Sequence, residues 1–440
     1  MLDIQFIRDN SELVESKAKQ KGYVVAIGKL LELDEQRRTL TQEIDKLRAH
    51  RNETASLLKD HKPTLEDIEQ GKQLKEDISQ LEKQLEPIAT ELEKLLKQVP
   101  NMPLEDVPIG ASEEENKVAR KVGEPFEYDF EPKQHWRIAE PRDLIDKQRA
   151  TKIAGSRFAY IKGGLVQLQF AIIQFVLQTL GDEKILEKLI QDNHLNLSAK
   201  PFVPVLPPAM LRTEPYVASA RLNAEEVTYK LADDDLWLNA SAEHTLCTMY
   251  WNEILPETML PIRYIGYSTS FRREAGTYGK DTEGIIRLHQ FDKLEMEVFS
   301  TPETGLDEHF LLVAIQEYLV QQLGLPYEVI QKCTADIGKP NARGIDINTW
   351  FPGQGQYRET HTADYLTDYQ ARDLKIRYRS TKVQENGVKA EALQLVHTND
   401  ATAFALGRII AAIIENFQTA DGRIMVPEVL RPMLGGKVEI

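Results

Sequence analysis

A chain of 440 residues can hold two domains, each large enough to bury its own core. Lys and Arg total 54 against 69 Asp and Glu, a net charge of −15, which argues against a non-specific nucleic-acid coat and requires any phosphate backbone to be met by a local basic patch. The two cysteines, Cys247 and Cys333, stand far apart and outside metal-ligand spacing, so neither a disulfide framework nor a cysteine zinc site is expected.

The opening MLDIQFIRDN is charged from its third residue and does not read as a secretory signal. Residues 163–181 carry no formal charge, but Gln167, Gln169, Gln174 and Gln178 make them a poor span and a good buried amphipathic helix. A soluble, cytoplasmic protein with no membrane partner is expected.

Between about residues 25 and 100 the composition shifts to Leu, Glu, Lys, Gln and Arg, with a single break at 61–64. After the break Leu74, Ile78, Leu81, Leu85, Ile88, Leu92, Leu95 and Val99 recur four and three apart, the seam of a coiled coil. Before it Leu33, Leu40, Ile44, Leu47 and Leu58 follow the same seam, with Arg37, Arg51 and Thr54 at some of its positions. The pattern predicts an antiparallel helical hairpin whose second arm, about 35 residues long, reaches about 50 Å at the helical rise. Pro87 is expected to kink or bend that arm. Heptad arrays commonly oligomerise or act as spacers. Here the seam can close within the hairpin, and Lys46, Arg48, Arg51, Lys59 and Lys62 gather cations near the tip, where they suit phosphates.

Residues 101–130 are rich in Pro, Gly and Glu without periodicity and read as a linker, with the domain boundary near residue 110. The following KPFVPVLPPAML, dense in Pro201, Pro204, Pro207 and Pro208, suits an edge or interface strand. Ser241-Ala242-Glu243 is of low specificity and reads equally as a helix cap.

The most informative stretch is FRREAGTYGKDTEGIIRLHQFDKLE, residues 271–295. Its alternating arms predict two antiparallel strands joined by a polar loop at 276–284. Arg272 and Glu274 would then share one face, and Arg287, His289, Phe291, Lys293 and Glu295 would line one face of the second strand. Guanidinium forks, an aromatic ring and carboxylates on one face suit a nucleotide. They equally suit a solvated sheet face with cross-strand ion pairs.

Further on, residues 304–325 read as an amphipathic helix, and residues 344–379 as strand-like at both ends around a turn at Pro352-Gly353. Glu359 and Thr362 supply a carboxylate and a hydroxyl, hard oxygen donors of the kind that hold Mg²⁺ beside a triphosphate. In the apolar helix at 402–417, Arg408 is a lone guanidinium that needs an anion, either a ligand phosphate or a core carboxylate.

Taken in order, these stretches resemble the class II aminoacyl-tRNA synthetases, in the form of the ordinary, non-zinc seryl-tRNA synthetases. The 271–295 stretch resembles motif 2, the proline-dense strand with Pro208 resembles motif 1, and the Arg408 helix resembles motif 3. Glu359-Thr360-His361-Thr362 matches the family's E-x-x-S/T, and TDYQAR its T/E-D-F-Q-A-R. The resemblance implies an α+β fold: an N-terminal coiled-coil hairpin domain, residues 1–110, then an antiparallel sheet domain flanked by helices, residues 111–440. It implies a homodimer built on motif 1.

The same resemblance implies two-step chemistry, in which ATP and L-serine form seryl-adenylate and the acyl group passes to the 3′ end of tRNA(Ser). Arg272, Glu274 and Arg408 would be catalytic. Arg272 would grip the α-phosphate and the serine carboxylate, Arg287 and Arg408 the outer phosphates, Phe291 the adenine, and Glu274 would position the nucleotide. Arg273, Thr360 and His361 complete the implied ATP set, and Glu359 and Thr362 would hold Mg²⁺. Ser241, Ala242 and Glu243 would form the ammonium pocket, and Glu295 and Thr402 would read the serine hydroxyl. The hairpin would grip the long variable arm of tRNA(Ser), which leaves tRNA(Sec) as a second substrate. Three positions depart from the commoner pattern, Ser241 for Thr, Asn348 for Glu and Asp400 for Asn, while Thr402 for Ser is a substitution also seen within the family. Two other readings stand beside this one. A catalytically inactive paralogue would keep the arm and lose site groups, and an amino acid:carrier protein ligase would typically lack the arm.

Overall fold

The computed structural model describes residues 1–57, 64–222, 228–274, 283–383 and 389–440. They divide into two units, Met1–Met102 and Pro103–Ile440.

In the first unit, two short helices, Ile4–Asp9 and Ser11–Gln20, precede the long helices α1 (Ile27–Leu57) and α2 (Leu65–Leu96), which pack along each other. The start of α2 is set by Thr64: its hydroxyl accepts from Asp67 N at 3.2 Å while the Asp67 carboxylate accepts from Thr64 N at 2.8 Å. Such a reciprocal cap satisfies two N–H groups that the first turn leaves free. Leu33 and Ile44 of α1 and Leu74, Ile78, Leu92 and Leu96 of α2 are buried along the seam. The arginine at seam position 37 is accommodated by Asp34, whose carboxylate takes Arg37 at 2.8 Å and Arg8 at 2.9 Å. Helix α2 continues through Pro87 without interruption. Pro87 lies on the exposed side, so the carbonyl deprived of its N–H partner faces solvent.

Lys46, Arg48 and Arg51 are exposed on α1, with Arg48 bridging to Glu82 of α2 at 2.8 Å. Lys59 and Lys62 lie outside the described residues.

The second unit is built on an eight-stranded sheet. Its strands are β1 (Lys117–Val122), β2 (Val203–Val205), β3 (Ile262–Phe271), β4 (Gln290–Ser300), β5 (Tyr327–Gln331), β6 (Arg343–Phe351), β7 (Gln356–Thr367) and β8 (His397–Ala405). They lie in the order β1-β5-β6-β7-β8-β4-β3-β2, antiparallel throughout except for the β2–β3 pair. Strand β1 falls in the stretch expected as a linker. It is an edge strand whose side chains are almost all exposed, so it needs no apolar alternation and gives the sequence no strand signal.

Three helices supply much of the main core: α3 (Gly164–Gly181), α4 (Gly305–Gln322) and α5 (Leu406–Asn416). By length and composition α3 is apolar enough to cross a membrane; Leu165, Leu168, Ile172, Phe175, Val176 and Leu180 of it are buried in the core. A buried bidentate pair ties sheet to helix: Arg263 of β3 meets Glu308 of α4 at 2.7 and 2.8 Å, and its remaining nitrogen donates to the carbonyls of Ser198 and Lys200 at 2.9 and 2.8 Å.

The 271–295 stretch holds the two antiparallel strands expected, but they stop short of the expected arms, and most of the expected loop lies outside the described residues. The ladder between β3 and β4 ends at Phe271 and Gln290, with one further bond from Arg272 N to His289 O at 2.9 Å. Glu274 then turns to a positive φ of 53°, and residues 283–289 return without strand geometry. Arg287 and His289 therefore do not share the strand face that Phe291, Lys293 and Glu295 do. The return is held from outside the hairpin. Ile285 N donates to His135 Nε2 at 3.1 Å, and His135 Nδ1 donates to the buried Glu415 Oε1 at 2.9 Å. Gly284, at φ 70° and packed on His135, leaves no room for a side chain, since a Cβ would meet His135 Nε2 at 1.8 Å.

Candidate functional site

A pocket opens on the face of β4, β7 and β8, closed by the start of α5 and by the segments beyond β3 and before β4. Arg272, Glu274, Arg287, Phe291, Glu359 and Arg408 line it, together with Thr360, Thr362, Lys293 and Thr402. Gly407 allows the segment before β4 to close on α5, since a Cβ there would meet Ile285 O at 2.7 Å.

At one end the groups are suited to phosphates and a base. Arg272 Nε donates to Ala240 O at 3.2 Å, and its guanidinium stands 5.3 Å from the Phe291 ring centroid. Arg287 Nη1 meets Glu274 Oε2 at 2.7 Å. Arg408 Nη1 lies 2.9 Å from Glu359 Oε1 and donates to the Glu359 carbonyl at 3.0 Å. The arginine in an apolar helix thus finds a carboxylate that is itself half-exposed in the pocket, and both stay available to a ligand.

Lys293 and Thr402 line the other end, and behind them lies a closed acidic cluster. Lys293 Nζ pairs with Glu295 and lies 3.2 Å from Ser241 Oγ. Thr402 stands opposite Glu295 in the β8–β4 register, its hydroxyl 3.5 Å from Glu295 Oε2. One oxygen each of Glu243, Glu295 and Asp400 lie within 4.8 Å of one another. Burial pushes the Glu295 carboxyl up to about 7, with Lys293 pulling the other way. Burial likewise raises Asp400, against the pull of Arg221. An acidic, water-poor end of this kind suits an ammonium group.

Not every expected residue reaches the pocket. Arg273 is exposed, its guanidinium 5.8 Å from the Tyr229 ring. Ala242 is wholly buried, and its backbone carbonyl accepts from Thr245 N, Thr245 Oγ1 and Leu246 N within the following helix. His361 is a core residue, bonded to Thr360 at 2.8 Å and packed against Phe404 at 5.2 Å. Burial pushes it down to about 3, so it supplies no charge to a phosphate. Thr360 lines the pocket while its hydroxyl bonds Thr349 at 2.7 Å. Ser241 is buried and does not line the pocket; its Oγ accepts from Glu243 N at 3.3 Å, at the start of the helix Glu243–Leu246.

Other groups carry no motif of their own. Lys332 is buried and holds Asp346 at 3.3 Å, Asp364 at 3.1 Å and Thr362 Oγ1 at 2.9 Å, which braces the floor beneath Glu359. Asp346 was legible as a polar residue alternating with Ile345 and Ile347; Lys332 gave no signal. Glu415 is a lone acid in an apolar helix, and the reasoning that singled out Arg408 applies to it equally. Asn348 sits on β6 in register with both Glu328 and Glu359, where a third carboxylate would add repulsion.

Oxygen donors alone, Glu359 and Thr362 over the Lys332–Asp346 brace, fit a hard divalent ion carried by a triphosphate.

Two family models match the chain: the seryl-tRNA synthetase N-terminal domain over residues 1–103 and the tRNA synthetase class II core domain (G, H, P, S and T) over residues 227–417. A serine–tRNA ligase of Exiguobacterium sp. is 38% identical, the match covering 100% of this chain and 99% of the relative. The chain belongs to the seryl-tRNA synthetases. It is thus a class II aminoacyl-tRNA synthetase, a serine–tRNA ligase, by family. Among solved structures, the seryl-tRNA synthetase of Pyrococcus horikoshii complexed with ATP superposes with a TM-score of 0.85 at 36% identity, covering 100% of this chain and 99% of that one. The cytoplasmic serine–tRNA ligase of Naegleria fowleri in complex with AMP gives 0.82 at 26% identity, covering 100% and 98%. The match to the family's N-terminal domain tells against a carrier-protein ligase, which typically lacks that arm.

Proposed function

We propose that this pocket joins L-serine to ATP as seryl-adenylate and then passes the seryl group to the 3′ end of tRNA(Ser). The observation that carries the reading is one pocket with arginines over an aromatic ring at one end and a lysine and a threonine hydroxyl at the other, with three buried carboxylates converging behind them. Arg272, near Ala240 and Phe291 and between the two ends, grips the α-phosphate and the serine carboxylate. Arg287 and Arg408 take the outer phosphates, Phe291 stacks on adenine, and Glu274 orients the nucleotide while holding Arg287. No covalent nucleophile is required, because an in-line displacement at phosphorus is accelerated chiefly by alignment and charge neutralisation.

Glu359 and Thr362 would hold the Mg²⁺ that accompanies ATP; when bound, that ion neutralises charge on the phosphates. Glu243 and Ser241 take the serine ammonium, and Glu295 with Thr402 takes its hydroxyl. A substrate lacking the hydroxyl leaves Glu295 buried without that partner, which is the basis for rejecting alanine.

The exposed Lys46, Arg48 and Arg51 on α1 support reading the hairpin as the tRNA-binding element, acting on backbone and shape, with tRNA(Sec) as a second substrate where one exists. A homodimer built on the edge strand β2 is supported by exposed apolar residues on it and in the segment after it, Val203, Leu206 and Met210, and a cytoplasmic location by the family's role in translation. The test is exchange of labelled pyrophosphate into ATP with each of the twenty amino acids. Exchange with serine alone is expected; none from folded protein would overturn the reading.

A further inference from the structure

The buried acidic cluster behind the pocket contains a guanidinium that no motif announces. Arg221, its side chain 15% exposed, sits between two carboxylates, paired with Glu243 and with Asp400 Oδ2 at 2.5 Å. Glu243 comes from the turn that opens helix Glu243–Leu246 and Asp400 from β8, so the guanidinium joins parts of the fold distant in sequence. Acidic charge is concentrated here. Glu297 faces Asp400 in the β4–β8 register, is 1% exposed, and has no hydrogen-bond partner on either oxygen among the described residues. Like charges so close drive each other apart or take up protons unless a cation stands among them. A planar guanidinium serves two carboxylates at once, which a point-charge ammonium does less well. The family's commoner Asn at position 400 would bring no charge, and in this chain the added carboxylate is met by Arg221.

We propose that Arg221 is a positioning residue that sets amino-acid affinity: by clamping Glu243 to Asp400 it holds the ammonium-binding carboxylate at a fixed place in the pocket. The proposal rests on reading this end as the amino-acid pocket. Among the described residues the guanidinium of Arg221 pairs with Glu243 and Asp400 and with no group of the nucleotide end, so its removal should act on serine and leave ATP alone. Glu243, released from the clamp, turns away or becomes neutral, and the serine ammonium loses its acceptor.

The test is pyrophosphate exchange by the full-length enzyme carrying Arg221→Gln, Asp400→Asn, both together, or Glu295→Gln. Arg221→Gln is expected to raise KM for serine about tenfold or more, while KM for ATP stays within about twofold. Adding Asp400→Asn to Arg221→Gln removes the stranded carboxylate and should recover part of that loss. The proposal is overturned if serine KM does not move, if serine and ATP KM rise together, or if the double variant is no better than the single. Should Arg221→Gln fail to fold, the double variant is compared with Asp400→Asn alone. A higher serine KM in the double supports the hold on Glu243, and an equal one overturns it. Glu295→Gln separates this inference from the pocket assignment. If it leaves serine KM unchanged the pocket itself is misassigned; if it raises serine KM while Arg221→Gln does not, only the role of Arg221 falls.

Discussion

Arg408 Nη1 and Glu359 Oε1 lie 2.9 Å apart, so the cation proposed for the outer phosphates and the carboxylate proposed for the divalent ion are partners of each other across the pocket. Each keeps the other charged and in place until triphosphate and ion divide the pair. Arg408→Ala is therefore expected to lower kcat/KM for ATP about a hundredfold or more in pyrophosphate exchange. Glu359→Gln should shift the Mg²⁺ requirement upward. Normal ATP dependence in Arg408→Ala would move the outer-phosphate role elsewhere.

Arg272 is held by the Ala240 carbonyl and stands over Phe291 at the junction of the two ends. Arg272→Ala should abolish adenylate formation while Tm stays within a few degrees, because the side chain is only partly buried. Single-turnover formation of seryl-adenylate, read beside a thermal melt, checks both halves. Near-normal adenylate formation would sink the motif 2 assignment.

The N-terminal unit closes its apolar seam internally, with Arg48 and Glu82 bridging its helices. Deleting residues 30–95 with a short linker in their place should leave serine activation largely untouched and remove tRNA charging. In the intact arm, Lys46→Glu with Arg51→Glu should weaken charging and flatten its dependence on salt, since two phosphate contacts are lost. If activation and charging survived the deletion equally, tRNA would be held by another surface.

Glu295 titrates at about 7 because it is buried, against an ordinary value of 4.5. The folded state therefore keeps this proton more tightly than the unfolded chain, and stability contributed by the group falls as pH rises from 4.5 towards 7. Glu295→Gln, which mimics the protonated form, should raise Tm at pH 8 by the equivalent of roughly 1–3 kcal/mol and hardly alter it below pH 4.5. The same variant should lose serine affinity. A Tm difference that does not change between pH 5 and 8 would show that Glu295 titrates normally.

Legibility differed between the parts of the chain. The hairpin could be read from Leu74, Ile78 and Leu92 because a heptad seam is a local pattern, and its burial depends on neighbours three and four residues away. The edge strand β1 could not, because an edge strand with exposed side chains has no apolar face to advertise. Around the pocket, Arg408 and Glu359 stood out singly, the first as a charge in an apolar helix and the second by its place in a motif. Their mutual pairing was invisible, as they lie on different elements 49 residues apart.

The sequence by itself determined the coiled-coil arm, which follows from its periodicity, and the α+β class and the order of the three motifs, which came from the family resemblance that their residues carry. Only the tertiary structure decided that Arg287 leaves the strand face, that His361 is buried in the core, and that Arg221, Lys332, His135 and Glu415 brace the pocket. A side chain's charge state and partner are set by what the fold packs against it, and a buried ion is tolerated only where distant elements supply its counter-charge.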